Sequence, residues 1–157
     1  MLVRRLTPTD IDTLRRIRLE ALRTDPDAFG STLEREESRS DDDWRAWLGR
    51  GATFVAESDG EPSGLVVALA QDDPSIVALL AMFVSSRVRR QGVGRALMEA
   101  AMEWAHAMGA ERLELMVVEG NAPAASLYEA CGFVYTGRSE LRDRDGAVER
   151  QMARVTR

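Results

Sequence analysis

The apolar positions in the middle of the chain form three runs that are separated by turn residues. Residues 52–58 and 61–70 flank Asp59-Gly60, a dipeptide that favours the tight turn of a β-hairpin. After a second turn, residues 76–84 are apolar at almost every position. A continuous apolar run of this length is typical of a strand that is buried on both faces. We therefore predict a hairpin followed by a third, doubly buried strand.

Two other segments have the spacing of amphipathic helices. In the first, apolar residues recur between residues 11 and 22, and Asp25-Pro26 ends the segment. We predict that this helix begins at Thr7-Pro8, with a hydroxyl N-cap and a proline at the first helical position. The second helix is predicted over residues 93–108 and ends at Gly109.

The remaining segments complete a mixed order of elements. Residues 29–43 are polar and acid-rich, which predicts a loop or a loose helix. Short helices are predicted around Trp47 and after Asn121, and strands over residues 2–6, 111–118, 133–138 and 147–155. The resulting order is βααβββαβαββ, without a linker or a repeat, so residues 1–157 are interpreted as one domain.

Composition narrows the chemistry. With 45% apolar and 30% charged residues, the chain is typical of a globular protein. Its net charge of −5 argues against nucleic acid as the main partner. Every basic residue is an arginine, which excludes mechanisms that need a lysine. His106 and Cys131 are the single histidine and cysteine, too few for a zinc site of the usual kind, and we expect no metal.

The chain contains no segment with the pattern of a signal peptide or a membrane span. Charge follows the first residues directly, and the longest apolar run, residues 76–84, is far shorter than the roughly 20 residues that cross a bilayer. We therefore expect a cytoplasmic protein without a membrane partner.

The most informative segment lies between the third strand of the hairpin region and the long helix. It contains Gly92 and Gly94 together with further polar and basic residues, which are Arg89, Arg90, Gln91 and Arg95. Free amides at a helix N-terminus, glycines and arginines together predict an anion cradle. A Walker loop is excluded because no lysine follows, and a dinucleotide fingerprint fails because Leu97 occupies the place of its third glycine. A glycine turn with a solvated arginine face remains the alternative.

At this point the chain resembles a known family. Residues 89–94, Arg-Arg-Gln-Gly-Val-Gly, match the Arg/Gln-x-x-Gly-x-Gly/Ala signature of the GNAT superfamily of N-acetyltransferases. Residues 121–133 resemble the second block of that family, Asn-x-x-Ala-x-x-Leu-Tyr-x-x-x-Gly-Phe. The resemblance implies an α/β (α+β) fold with a mixed, mostly antiparallel central sheet flanked by helices. It also implies that two strands splay apart and form a slot for acyl-CoA.

The resemblance further implies roles for individual residues in a transferase that uses acetyl-CoA. The backbone of Met82, Phe83 and Val84 would pair with the pantetheine arm, which Asn121 would also contact. Tyr128 would protonate the departing thiolate. The diphosphate and its surroundings would be held by Arg89, Arg90, Gln91, Gly92, Val93, Gly94 and Arg95.

The group that deprotonates the acceptor amine is less clear. Some relatives carry a glutamate where this chain appears to align Met116, so Glu114 and Glu119 are the candidate bases, with a water chain as an alternative. The acidic loop, with Phe29, Glu36 and Glu37 as the candidate substrate residues, is expected to attract a cationic amine. Each of these acids is equally compatible with a solvated surface charge.

Two functions remain open at this stage. The first is an enzyme that transfers acetyl from acetyl-CoA to a primary amine, of a small molecule or a protein, by direct attack in a ternary complex. The second is a catalytically weak acyl-CoA-binding sensor of the same fold. The resemblance also suggests a homodimer through the terminal strands.

Overall fold

The computed structural model describes residues 1–156, which form seven strands and five helices. The strands are β1 (Leu2–Arg5), β2 (Ala52–Ser58), β3 (Glu61–Ala70), β4 (Ile76–Val84), β5 (Arg112–Val118), β6 (Val134–Leu141) and β7 (Val148–Val155). The helices are α1 (Ile11–Thr24), α2 (Leu33–Glu37), α3 (Asp41–Leu48), α4 (Val93–Ala107) and α5 (Ala122–Ala130). The predicted strand order is confirmed, and the acidic segment contributes the additional short helix α2. Within residues 1–156, no helix combines the length and apolarity needed to cross a membrane.

The seven strands form one sheet in the order β1-β2-β3-β4-β5-β7-β6. All neighbours are antiparallel except β4 and β5, so the prediction of a mixed, mostly antiparallel sheet is confirmed. The parallel pair is short, because only residues 76–78 of β4 align with residues 112–114 of β5. Beyond this point the two strands diverge and the sheet opens.

Helices cover both faces of the sheet. One core lies under α4 and includes Leu97, Met98 and Phe133, while the other lies under α1 and α3 and includes Leu14 and Trp44. The strand that is buried on both faces is β3, whose residues 62–68 are all buried. The prediction that β4 would be doubly buried is therefore wrong. In β4 buried and partly exposed residues alternate, because its second half borders an open cleft.

The start of α1 also differs from the prediction. The helix begins at Ile11, three residues after Pro8, and Asp10 is the N-cap residue. The Asp10 carboxylate accepts a hydrogen bond from the backbone N–H of Thr7 (2.7 Å) and forms an ion pair with Arg4 (3.2 Å). Thr7 and Pro8 therefore form a turn before the helix, which the aspartate side chain closes.

Candidate active site

The divergence of β4 and β5 opens a cleft of about 1630 Å³. Its walls are the second half of β4, the end of β5, the N-termini of α4 and α5, and the segment that connects α1 to α3. This volume exceeds the roughly 300–1,000 Å³ of an ordinary small-molecule site. The cleft is therefore large enough for an elongated ligand together with a second, smaller one.

Strand β4 presents a free backbone edge to this cleft. A β-bulge sets two residues, Ala81 and Met82, opposite Val66 of β3, and Ala81 has a positive φ of 59°. Met82, Phe83 and Val84 then continue along the cleft, and β5 no longer pairs with them. The backbone groups on that side of β4 are available to an extended ligand.

The N-terminus of α4 faces the same cleft. Arg90 and Gly92 have positive φ values of 66° and 79°, which turn the chain sharply before the helix begins at Val93. Within residues 1–156, the amide N–H groups from Gly92 to Arg95 donate no hydrogen bond. These amides and the positive end of the helix dipole favour an anion, as the sequence predicted.

The arginines around this N-terminus differ in their surroundings. Arg89 is held by Asp25, at 2.8 Å, and by the carbonyl oxygen of Val84, at 3.0 Å. Arg95 forms an exposed pair with Glu99, at 3.2 Å. Arg90 borders the cleft and is exposed, whereas the exposed side chain of Gln91 does not border it. The backbone amides are therefore the most consistently oriented donors of this cradle.

Gly94 has a different role from Gly92. A Cβ atom at Gly94 would lie 3.0 Å from Cδ2 of Leu127 on α5 and 3.5 Å from Cγ2 of Val84. The missing side chain thus lets α4, α5 and β4 approach one another closely. Gly92 supplies the positive φ, and Gly94 supplies the space.

Gly94→Val is expected to lower the free energy of unfolding by about 1–3 kcal/mol, because the added methyl groups overpack the contact with Leu127. Urea unfolding measures this loss. Adding Leu127→Ala to Gly94→Val should restore part of it, as a coupling in the double-mutant cycle. Strictly additive losses would contradict the assignment of this contact.

Helix α5 carries the two residues of the second signature. Asn121 borders the cleft, and its Oδ1 accepts a hydrogen bond from the backbone N–H of Ala124, at 3.3 Å, so it caps α5. Tyr128 also borders the cleft, and its ring packs against Phe133 at a centroid distance of 6.4 Å. Within residues 1–156, neither the Tyr128 hydroxyl nor the Asn121 side-chain NH₂ group makes a hydrogen bond, so both remain available to a ligand.

Burial raises the pKa of the Tyr128 phenol above its usual value near 10, and the adjacent Cys131 contributes in the same direction. The phenol is therefore protonated throughout the physiological pH range. A protonated hydroxyl at the wall of a cleft is suited to donate a hydrogen bond.

The candidate bases are separated by the divergence of the strands. Glu119 borders the cleft just beyond β5 and forms an ion pair with Arg150, at 3.1 Å. Glu114 lies in the paired part of β5, bonds Arg112 at 2.9 Å, and does not border the cleft. Met116 does border it, together with Glu149 of β7, an acid that the sequence analysis did not identify.

The candidate substrate residues are also separated. Phe29 is buried and borders the cleft. Glu36 is 1% exposed and does not border it, because it pairs with Arg18 through two hydrogen bonds of 2.8 Å. Glu37 is exposed on α2 and points to neither.

Instead of acids, arginines border this end of the cleft. Arg18, Arg39 and Arg50 are among its lining residues, next to Trp47. Sequence analysis missed Arg18, although a signal was present. Arg18 lies four residues after Leu14 and therefore on the apolar face of α1, where a charged residue is unusual.

Comparison with known proteins agrees with this geometry. The Acetyltransferase (GNAT) family model matches residues 14–133. Human N-acetyltransferase 8 is 37% identical over 95 residues, which cover 57% of this chain and 42% of that protein. The chain thus spans less than half the length of the curated relatives it matches.

Two solved structures share the whole fold. The GNAT-family acetyltransferase from Streptococcus pneumoniae superimposes with a TM-score of 0.84 at 24% identity and covers 99% of both chains. The structure of yncA from Salmonella typhimurium with its cofactor acetyl-CoA gives a TM-score of 0.82 at 18% identity, over 100% of this chain and 94% of that one. These identities establish a common fold, and the family match extends over more than half of the sequence. The resemblance found from the two signatures is confirmed, and the chain belongs to the acetyltransferase (GNAT) family.

Proposed function

We propose that this protein transfers the acetyl group of acetyl-CoA to a primary amine by direct attack in a ternary complex. The observation that carries the proposal is the convergence of two backbone features on one cleft. The free edge of β4 suits the amides of a pantetheine arm, and the free amides from Gly92 to Arg95 suit a diphosphate. Family membership supports the same assignment.

In this proposal, the residues of the two signatures hold the co-substrate. Backbone groups of Met82, Phe83 and Val84 bond the pantetheine arm, and the free NH₂ group of Asn121 donates to it. Arg89 and Arg90 add positive charge around the diphosphate. Gln91 reaches the co-substrate only through its backbone, since its side chain lies outside the cleft.

Chemistry at the thioester requires a donor for the carbonyl oxygen and a donor for the sulfur. The backbone N–H of Phe83 or Val84 polarises the carbonyl while the amine nitrogen forms its bond to the acyl carbon. As the carbon–sulfur bond breaks, Tyr128 donates its hydroxyl proton to the departing thiolate. Its raised pKa makes complete transfer less favourable than for a free phenol, so the hydrogen bond to the developing charge carries most of the effect.

The amine arrives protonated, since an alkylamine has a pKa of about 10.4, and must lose a proton before it attacks. Glu119 is the better supported base because it borders the cleft, directly or through a water chain. Glu114 lies outside the cleft, which argues against it.

Glu119→Gln is expected to lower kcat/KM about 10²-fold, because the amide cannot accept the proton. Steady-state thiol release measures the change. The control is Glu129→Gln on α5, since Glu129 is exposed and does not border the cleft. Equal rates for Glu119→Gln and the unmodified chain would assign the proton transfer to water or to Glu149.

Calorimetry and an acceptor screen test the function as a whole. Acetyl-CoA should bind the pure chain, and thiol release with a panel of amines should accompany acetylated products detected by mass spectrometry. Absence of binding at millimolar acetyl-CoA would refute the proposal. Tight binding without turnover on any amine would favour the alternative, an acyl-CoA sensor.

Two further predictions concern the surroundings of the protein. Every residue of β6, the edge strand, is exposed, which is compatible with the predicted homodimer through the terminal strands. A cytoplasmic location and the absence of nucleic-acid and membrane partners stay predictions from the sequence.

A further inference from the structure

Arg18 is a buried cation with one unused donor group. Its side chain is 8% exposed, and its Nε and Nη2 atoms each donate a hydrogen bond of 2.8 Å to the Glu36 carboxylate. The third nitrogen, Nη1, is buried and has no hydrogen-bond partner. An unsatisfied buried donor costs about 1–3 kcal/mol, and more when it is charged. A group that persists in this state requires an explanation.

The surroundings of Arg18 leave only one side open to a ligand. The rings of Phe29 and Trp47 lie 5.0 Å and 5.4 Å from its Cζ atom, and Glu36 occupies the edge formed by Nε and Nη2. Arg18, Phe29 and Trp47 all border the cleft, whereas Glu36 does not. The free edge with Nη1 is therefore the edge turned away from Glu36, on the side of the cleft.

The local charge at this end of the cleft is positive. Glu36 is shared by Arg18 and Arg39, the latter at 3.7 Å, so one carboxylate faces two guanidinium groups. Arg50 also borders the cleft and has no ion-pair partner among residues 1–156. Asp43 is present but serves as a helix cap, accepting a hydrogen bond of 2.9 Å from the backbone N–H of Ser40. A cationic pocket with a free guanidinium donor attracts an anion.

We propose that the acceptor amine carries a carboxylate, which binds to Nη1 of Arg18 with Arg39 beside it. This inference rests on the proposed acetyl transfer and narrows its acceptor to amino acids and related amino carboxylates. Guanidinium groups bind carboxylates through charge-assisted hydrogen bonds with a defined direction. The carboxylate would thereby fix the amine relative to the thioester. The acidic loop, which was expected to attract a cationic amine, instead contributes Glu36 as the group that positions Arg18.

Matched pairs of acceptors test this inference on the full chain. The probes are α-amino acids and the linear ω-amino acids from glycine to 5-aminopentanoate, each compared with its own primary carboxamide. With acetyl-CoA saturating, kcat/KM for the preferred acid should exceed that for its carboxamide about 10- to 100-fold, the range expected when a buried charged partner is lost. Equal values, a preference for the carboxamides, or turnover on neither series despite acetyl-CoA binding would overturn the inference.

Variants locate the effect. Replacing Arg18→Gln and Glu36→Gln together removes both charges and leaves two neutral amides, and the acid-to-carboxamide ratio should fall to about 1. Arg39→Gln, a partly exposed and structurally milder change, should lower the ratio in part. Arg45→Gln is the matched control, because Arg45 is exposed on α3, pairs with Asp42 and does not border the cleft. An unchanged ratio in both the double variant and Arg39→Gln would overturn the inference.

Calorimetry with acetyl-CoA separates the two levels of failure. If the chain does not bind acetyl-CoA, the proposed function itself fails. If it binds acetyl-CoA and acetylates amines without discriminating acids from carboxamides, the transfer stands and only the carboxylate site is refuted.

Discussion

Tyr128→Phe is expected to lower kcat about 10²–10⁴-fold while the Kd for acetyl-CoA changes little. The substitution keeps the ring, which is buried and packs against Phe133, so the fold and the cleft wall should persist. It removes the hydroxyl, which has no protein partner and borders the cleft. Because the hydroxyl is proposed to act on the sulfur as charge develops there, its loss should affect turnover more than binding.

The chain offers a matched control for this prediction. Tyr135, the only other tyrosine, is 46% exposed on β6 and does not border the cleft. Tyr135→Phe should therefore retain kcat, and both variants should unfold at similar urea concentrations. If Tyr128→Phe turns over as fast as the unmodified chain, the thiolate must obtain its proton elsewhere.

The features that the sequence predicted well depend on neighbouring residues. The hairpin around Asp59-Gly60 and the turn before α4 at Gly92 are determined by local backbone conformation, which the residue types reveal. The two signatures were recognisable for the same reason, since each is a short segment. The cradle at the start of α4 could therefore be identified before any coordinates.

The features that the sequence did not predict depend on contacts between distant segments. Whether β4 is covered on both faces depends on the divergence of β5, which begins more than thirty residues later. Glu36 was interpreted as a substrate residue because the acidic loop gives no indication that Arg18 would fold against it. A charged residue on the apolar face of α1 was the one available signal, and it does not identify a partner.

The pairing of Arg18 with Glu36 leads to the largest expected change in stability. Glu36→Gln should lower the free energy of unfolding by about 3–5 kcal/mol at pH 7, because it leaves the Arg18 cation buried without a counter-charge. Urea unfolding measures the loss. The neighbouring Glu37 is exposed and forms no ion pair in the described chain, so Glu37→Gln should change stability by no more than about 0.5 kcal/mol. Similar effects in the two variants would show that the buried pair contributes little.

The pH dependence of this difference provides a second measurement. Burial acts to raise the pKa of the Glu36 carboxyl, but the hydrogen bonds and charge of Arg18 outweigh it and hold the pKa below its usual value. A depressed pKa in the folded state means that the contribution to stability is complete above the unfolded value, about 4.3, and is lost as the pH falls through the folded pKa. The gap in unfolding free energy between the unmodified chain and Glu36→Gln should therefore be constant from pH 7 to pH 5 and shrink at lower pH. A gap that grows on acidification would require a folded pKa above 4.3, and thus a carboxyl dominated by burial and not by Arg18.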